Sequence, residues 1–388
     1  MCVEKIMFIL IRSEILGVSI NEDLSRNLTK EKFRELLILS RRHDLSHIIA
    51  SALSRANILG DDEVSRAFHQ ALMKAVYRDA QRDYAINLTN TLLEQAQIPH
   101  INLKGSVVRN MYPQSWMRTS CDIDILVHNF DIQLVEKVLC SNKFARYDDS
   151  STHDYNFMSP NKVHIEIHHT LVQDRKIPSS DKILSDVWDT YVIPVANCKY
   201  RYDMTPEILL IYHLAHMGRH LLHGGCGVRP FIDLWLLEKH FSAEKSKLDE
   251  LMIQCNLKAL YDASMELSKV WLEGQKHSKV TEQFEQYILC GGTYGTTANA
   301  AKIKAATGVG KVRSLFNLIF LPRVNLEVLY PNLKKHPTLY PFYQIKRWFR
   351  YFDKSKRNKV KHISKQRNNV TIEETTETAT LLNHLGLI

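Results

Sequence analysis

The sequence predicts an α+β fold in which a small mixed sheet with flanking helices sits between an N-terminal and a C-terminal helical unit. Three observations predict it. Residues up to about 97 place apolar side chains at helical spacing, β-branched residues alternate with polar ones between about 98 and 200, and helical periodicity returns from Thr205 onward. At 388 residues the chain exceeds the roughly 100–200 residues of one ordinary core, so two or three packed units are expected.

In chain order, Lys30 to Arg42 sets Phe33, Leu36, Leu37 and Leu39 on one helical stripe, and Asp61 to Gln97 runs on without proline or glycine after Gly60. These give a helical unit over residues 1–97. Around Ile98 the pattern changes: Pro99, then Ile101 and Leu103, then Gly105-Ser106, a short helical run to Met111 and the turn Tyr112-Pro113 read as strand, glycine turn and helix. Strands are expected over Ile123 to Val127, Tyr155 to Met158 and Val163 to Leu171, with a helix over Asp131 to Cys140, which completes a core over residues 98–200. Thr205-Pro206, with Glu207 in the first turn, opens helices over Pro206 to Leu222, Val228 to Phe241, Ser242 to Cys255 and Leu257 to Leu272, a C-terminal helical domain over 201–340. Residues 341–388 read as a basic, aromatic region followed from Asn368 by a polar connector with a short apolar end.

Composition excludes several classes. Apolar residues make up 45% and charged residues 24%, the balance of a globular chain rather than a disordered or fibrous one. The seven cysteines are odd in number and never form a C-x-x-C pair, so neither a disulfide framework nor a zinc ribbon is indicated and a reducing, cytoplasmic setting is expected. The apolar run near the start is too short for a signal-peptide core, and no stretch approaches the length of a membrane span. The net charge of +9 is local: Lys346 to Arg367 holds ten basic side chains against the single acid Asp353, and the rest of the chain sums to zero.

Asp122 and Asp124 stand two apart in Asp-Ile-Asp-Ile-Leu-Val, so on a strand both carboxylates share one face while Ile123 and Ile125 take the other. Paired carboxylates suit Mg²⁺, which prefers a few such ligands plus substrate phosphates to a closed protein cage. A solvated strand face is the competing reading of such a pair, and its neighbours decide against it. Upstream, Leu103-Lys104-Gly105-Ser106 offers a glycine turn at a helix start where backbone N–H groups can approach phosphates and Ser106 can add a hydroxyl. Downstream, Val163-His-Ile-Glu-Ile-His168 alternates again, with His164, Glu166 and His168 on one face.

This arrangement resembles the DNA-polymerase-beta-like nucleotidyltransferase superfamily. Within it the chain is most similar to an uncharacterised nucleotidyltransferase family with an L-K-G turn, a Y-P turn, R-x-x-x-D-I-D-x-L-V, an acid-x-His strand and a helix with H-x-x-H. Here those are Leu103 to Gly105, Tyr112-Pro113, Arg118 to Val127, Glu166-Ile-His168 and His213 to His216, followed by Arg219-His220 and Asp233. The resemblance implies that Asp122, Asp124 and Glu166 bind two metal ions, Mg²⁺ or Mn²⁺, which align a nucleoside triphosphate and an acceptor hydroxyl for in-line attack.

His213, His216, His220 and His223 fall within one helical face. A transition-metal site, a stripe of hydrogen-bonded histidines and a face turned toward the triphosphate are the readings open; the preferred one sets His216, Arg219 and His220 toward the phosphates, where cationic donors neutralise charge on the leaving pyrophosphate. Lys104 and Arg118 are further candidates for phosphate contact, with a surface salt bridge as the competing reading for each. Aromatics among the cations of 346–367 suit RNA or another anionic partner, against a plain solvated helix. The expected function is transfer of a nucleoside monophosphate to a hydroxyl of a small molecule. An RNA acceptor such as a tRNA end, or a protein side chain, is the second reading, and a catalytically silent binding protein of the same fold is the third.

Overall fold

The computed structural model describes residues 1–20, 24, 27–147, 154–172, 177–241, 243–293, 295–307, 320–321, 323, 326, 330, 333, 336–349 and 370–388. The helices fully described before the sheet are α1 (Val3–Leu16), α2 (Lys30–Arg42), α3 (Ser46–Arg55) and the long α4 (Glu63–Gln95). Two of these starts, those of α2 and α4, are capped by a side chain. Thr29 caps α2 by accepting from Lys32 N, and Asp62 caps α4 by accepting from Val64 N at 2.9 Å and Ser65 N at 3.3 Å.

The sheet and its attached helices follow as β1 (His100–Asn102), α5 (Gly105–Val108), β2 (Asp122–Val127), α6 (Ile132–Ser141), β3 (Ala145–Tyr147), β4 (Asp154–Met158), β5 (His164–His168), α7 (Pro178–Ser185), α8 (Val187–Thr190), β6 (Val192–Pro194) and β7 (Arg201–Met204). Seven strands lie in the order β3-β4-β5-β2-β1-β7-β6. The sheet is mixed, since β2 runs parallel to β5 and β1 to β7 while the remaining pairs are antiparallel. Strands β3, β6 and β7 have no counterpart in the sequence reading: each is three or four residues long, and none has the following glycine turn that marks the equally short β1.

Strand alternation divides the sheet into two environments. Ile123, Ile125, Val127, Ile165 and Ile167 are buried on one face with Ala85, Ile86 and Leu93 of α4 and Val135 and Leu139 of α6. The opposite face carries Asp122, Asp124, His164, Glu166 and His168 and looks toward the helices that follow: α9 (Pro206–His223), α10 (Arg229–His240), α11 (Lys245–Gln254), α12 (Lys258–Glu273), α13 (Lys279–Gly291) and α14 (Thr297–Ala306). Helices before and after the sheet share one core, where Phe8 of α1 stacks on Trp271 of α12 at 4.5 Å and Arg12 donates to the Trp271 carbonyl.

The residues from Asn368 were expected to form a connector, and the structure corrects this. Ile372–His384 is a helix, opened by a reciprocal capping box in which Thr371 Oγ1 accepts from Glu374 N at 3.1 Å and Glu374 Oε2 accepts from Thr371 N at 3.0 Å, and anchored by buried Leu381 and Leu382. Of the basic region 346–367, residues 346–349 close the helix Tyr340–Phe349 and the rest lies outside the described residues. Among the described residues no helix is long and apolar enough to cross a membrane.

Candidate active site

The parallel register of β2 and β5 sets Asp122 opposite His164, Asp124 opposite Glu166 and Leu126 opposite His168. Both strands alternate in phase, so the polar residues of the two converge on one face. Asp124 is buried, and its Oδ1 accepts from Lys104 Nζ at 2.7 Å and from His168 Nε2 at 2.8 Å. Burial alone would raise its carboxyl; Lys104 and His168 instead hold it far below the usual carboxylate range. Asp122 behaves oppositely. Burial, then repulsion from Asp124 and Glu166, pushes its carboxyl up against the pull of Lys104 and Arg82. His168 is 2% exposed, with Nε2 also 3.6 Å from Glu166 Oε2; burial opposes its protonation, but the hydrogen bond to Asp124 and the nearby Glu166 carboxylate push it up to about 9.

Lys104 reaches Asp124 from a strained turn. Ser106 N donates to Leu103 O at 3.1 Å, and between them Lys104 takes φ 46° and ψ −121°, dihedrals ordinarily left to glycine. Lysine at such a position costs about 1–3 kcal/mol and aims its ammonium at the carboxylates, the kind of strain that accumulates at functional sites. Gly105 follows at the helix start, where a Cβ would meet Arg118 Nη1 at 3.3 Å and Ser120 Oγ at 3.4 Å. Arg82, from α4, donates to the Asp122 carbonyl at 2.9 Å and to Ser120 Oγ, fixing the entry into β2.

A family model described as an uncharacterised nucleotidyltransferase matches residues 29–273, a span that contains this whole arrangement. The chain belongs to that nucleotidyltransferase family. No curated protein and no solved structure matches it. A cleft on the polar face of the sheet has a volume of about 460 Å³, and its wall includes Lys104, Gly105, Arg118, Asp122, Asp124, Glu166, His216 and His220. Two other residues singled out from the sequence are not on that wall. The Ser106 hydroxyl is buried and without a hydrogen-bond partner, and Arg219 meets the cleft through His216.

Arg118 faces the cleft but is engaged: Nε donates to both oxygens of Asp233 at 2.8 and 2.9 Å, and Tyr112 Oη donates to Asp233 Oδ1 at 2.7 Å. The histidines of α9 divide into two pairs. His213 Nε2 donates to Pro230 O at 2.8 Å and His223 Nδ1 donates to Arg219 O at 2.8 Å, so both are spent on backbone. The other two form a chain. Arg219 always donates, so at 2.9 Å it finds an unprotonated Nδ1 on His216, whose Nε2–H then donates to His220 Nε2 at 3.0 Å. Both imidazoles are therefore neutral; burial, then Lys104, His220 and Arg219, lowers His216 well below its ordinary value, and burial, then Arg219, Lys104 and His223, lowers His220 to about 4.

Among the described residues, the group of metal-ligating type whose donor atoms converge is Asp124, Glu166 and His168, within 4.8 Å of one another. The α9 histidines do not form such a group. His168 is the functional residue that the sequence reading left without a role, although its signal was present in the alternation of Glu166-Ile-His168. Arg82 carried no local signal, and Asp233 entered only as part of the family pattern without a partner, since each acts on the site from a distant helix.

Proposed function

We propose that the protein moves a nucleoside monophosphate from a nucleoside triphosphate to a hydroxyl of a small-molecule acceptor, with two Mg²⁺ ions, or Mn²⁺, held by Asp122, Asp124 and Glu166. The observation that carries this reading is the in-register pairing of β2 with β5, which brings three carboxylates to one face of the cleft in a nucleotidyltransferase. The donor set suits a hard divalent cation: the oxygens are carboxylate, and Asp122 is raised by burial and by its acidic neighbours, a repulsion that a bound cation would relieve. Bound there, the ions would supply charge neutralisation for the triphosphate and acidify the attacking hydroxyl.

The chain's own residues supply positioning. Lys104 holds the charge of Asp124 on the cleft wall, Gly105 leaves the backbone open to phosphates, and Arg219 orients His216 and through it His220, whose neutral ring keeps its Nδ1–H for a phosphate oxygen. Glu166, partly exposed at the cleft, can accept the acceptor's proton. The cleft of about 460 Å³, walled in part by α9, is of the size of small-molecule sites.

The test is incubation with labelled ATP, CTP, GTP and UTP, Mg²⁺ or Mn²⁺, and separate pools of metabolites, RNA and protein. Label is expected in a metabolite fraction, and label confined to RNA would sink the small-acceptor reading. Asp122→Ala combined with Asp124→Ala is expected to abolish transfer with the far-ultraviolet circular dichroism unchanged; surviving transfer would refute the carboxylate assignment.

A further inference from the structure

We propose that His168 is itself a metal ligand, so that one ion position is a mixed nitrogen–oxygen site, Asp124–Glu166–His168, that takes a transition-metal cation of the Mn²⁺ type in preference to Mg²⁺. This rests on the metal-dependent transfer proposed above and changes which ion occupies one of its positions. His168 closes β5, on the same face as Glu166 and diagonal to Asp124, and its ring is buried with Nε2 turned to both acids rather than to solvent or backbone.

The spacing is that of a ligand set. Metal–donor bonds of about 2.1 Å meeting at a right angle hold two donors about 3 Å apart. Nε2 lies 2.8 Å from Asp124 Oδ1 and 3.6 Å from Glu166 Oε2, on either side of that separation, and the three donor atoms fall within 4.8 Å of one another. The proton on Nε2 thus occupies the place where a cation would bridge nitrogen to oxygen. Imidazole is the donor that separates the ions: Mg²⁺ favours carboxylate, carbonyl and water, whereas the first-row transition divalents accept nitrogen readily. A histidine present only to orient Asp124 would need to reach one carboxylate, and this one reaches two.

The experiment titrates full-length protein with Mn²⁺ in the presence of inorganic tripolyphosphate, a nitrogen-free stand-in for the nucleotide, and reads bound Mn²⁺ by pulsed electron paramagnetic resonance. Nitrogen modulation is expected on the bound ion, changing to the ¹⁵N pattern when the protein is made with ¹⁵N-histidine, and Mg²⁺ is expected to compete about tenfold or more weakly than Mn²⁺. His168→Gln, which keeps an N–H for Asp124, is expected to erase the modulation and weaken Mn²⁺ by about 10–100-fold. Bound Mn²⁺ without histidine nitrogen coupling in the unaltered protein overturns the proposal while leaving metal-dependent transfer intact. Absence of any bound Mn²⁺, together with silence in the labelled-transfer assay, overturns the underlying reading as well. The ¹⁵N-histidine arm needs no variant, so misfolding of His168→Gln would leave the proposal falsifiable.

Discussion

The charge of the cleft is carried by a few side chains whose partners decide what each can do. Arg118 and Asp233 form the clearest pair: their side chains are 10% and 1% exposed, and the contact is bidentate with Tyr112 added. Asp233→Asn leaves a buried guanidinium without a countercharge, which costs about 3–5 kcal/mol. The loss is expected as a lower midpoint in chemical denaturation. The pH dependence follows from the sign of the shift. Burial would raise the Asp233 carboxyl, but Arg118 and His213 hold it below the usual range. Its contribution is therefore complete above its unfolded value of about 4 and is lost as the pH falls through the lower folded value. Acid denaturation curves of Asp233→Asn are expected to be flatter than those of the unaltered protein below about pH 4, and parallel curves would contradict the pair's role.

At the scale of elements, β5 presents two chemistries one residue apart. Ile167 is fully buried against the helices, while Glu166 and His168 line or border the cleft. Ile167→Ala is expected to cost about 2–5 kcal/mol in unfolding free energy, measured by urea titration, while transfer per folded molecule is retained. Glu166→Gln is expected to leave stability nearly unchanged and remove transfer. This division was legible in the sequence because a strand repeats every two residues, so Asp122-Ile-Asp124 and Glu166-Ile-His168 declare their own faces. The helix α2 was legible to its ends for a similar reason, from its apolar stripe, and the structure adds the capping Thr29 at its start. What local pattern did not contain is partnership. Asp233 joins Arg118 across 115 positions, Lys104 adopts a glycine-like turn that lysine does not advertise, and β7 joins the sheet in parallel with β1 through four residues.

On the scale of the whole molecule, the cleft lies between one face of the sheet and the helices α9 and α10, with Asp44 of the N-terminal unit also on its wall. The family match begins at residue 29, yet α1 lies before it and is deeply built in: Ile6, Met7, Leu10 and Ile11 are fully buried. Phe8 stacks on Trp271, which in turn meets Phe231 of α10 edge-on at 4.9 Å, and α10 also carries Asp233, the partner of Arg118 at the cleft. Stability of the first helix and integrity of the cleft should thus be coupled through one shared core rather than added independently. Phe8→Ala is expected to lower stability by about 3–5 kcal/mol. Because the helices share a core, the variant should still unfold in a single transition, with tryptophan fluorescence and far-ultraviolet circular dichroism reporting the same midpoint. Two separated transitions, the earlier one leaving the α10 region intact, would show that α1 is an appendage and that the cleft stands without it.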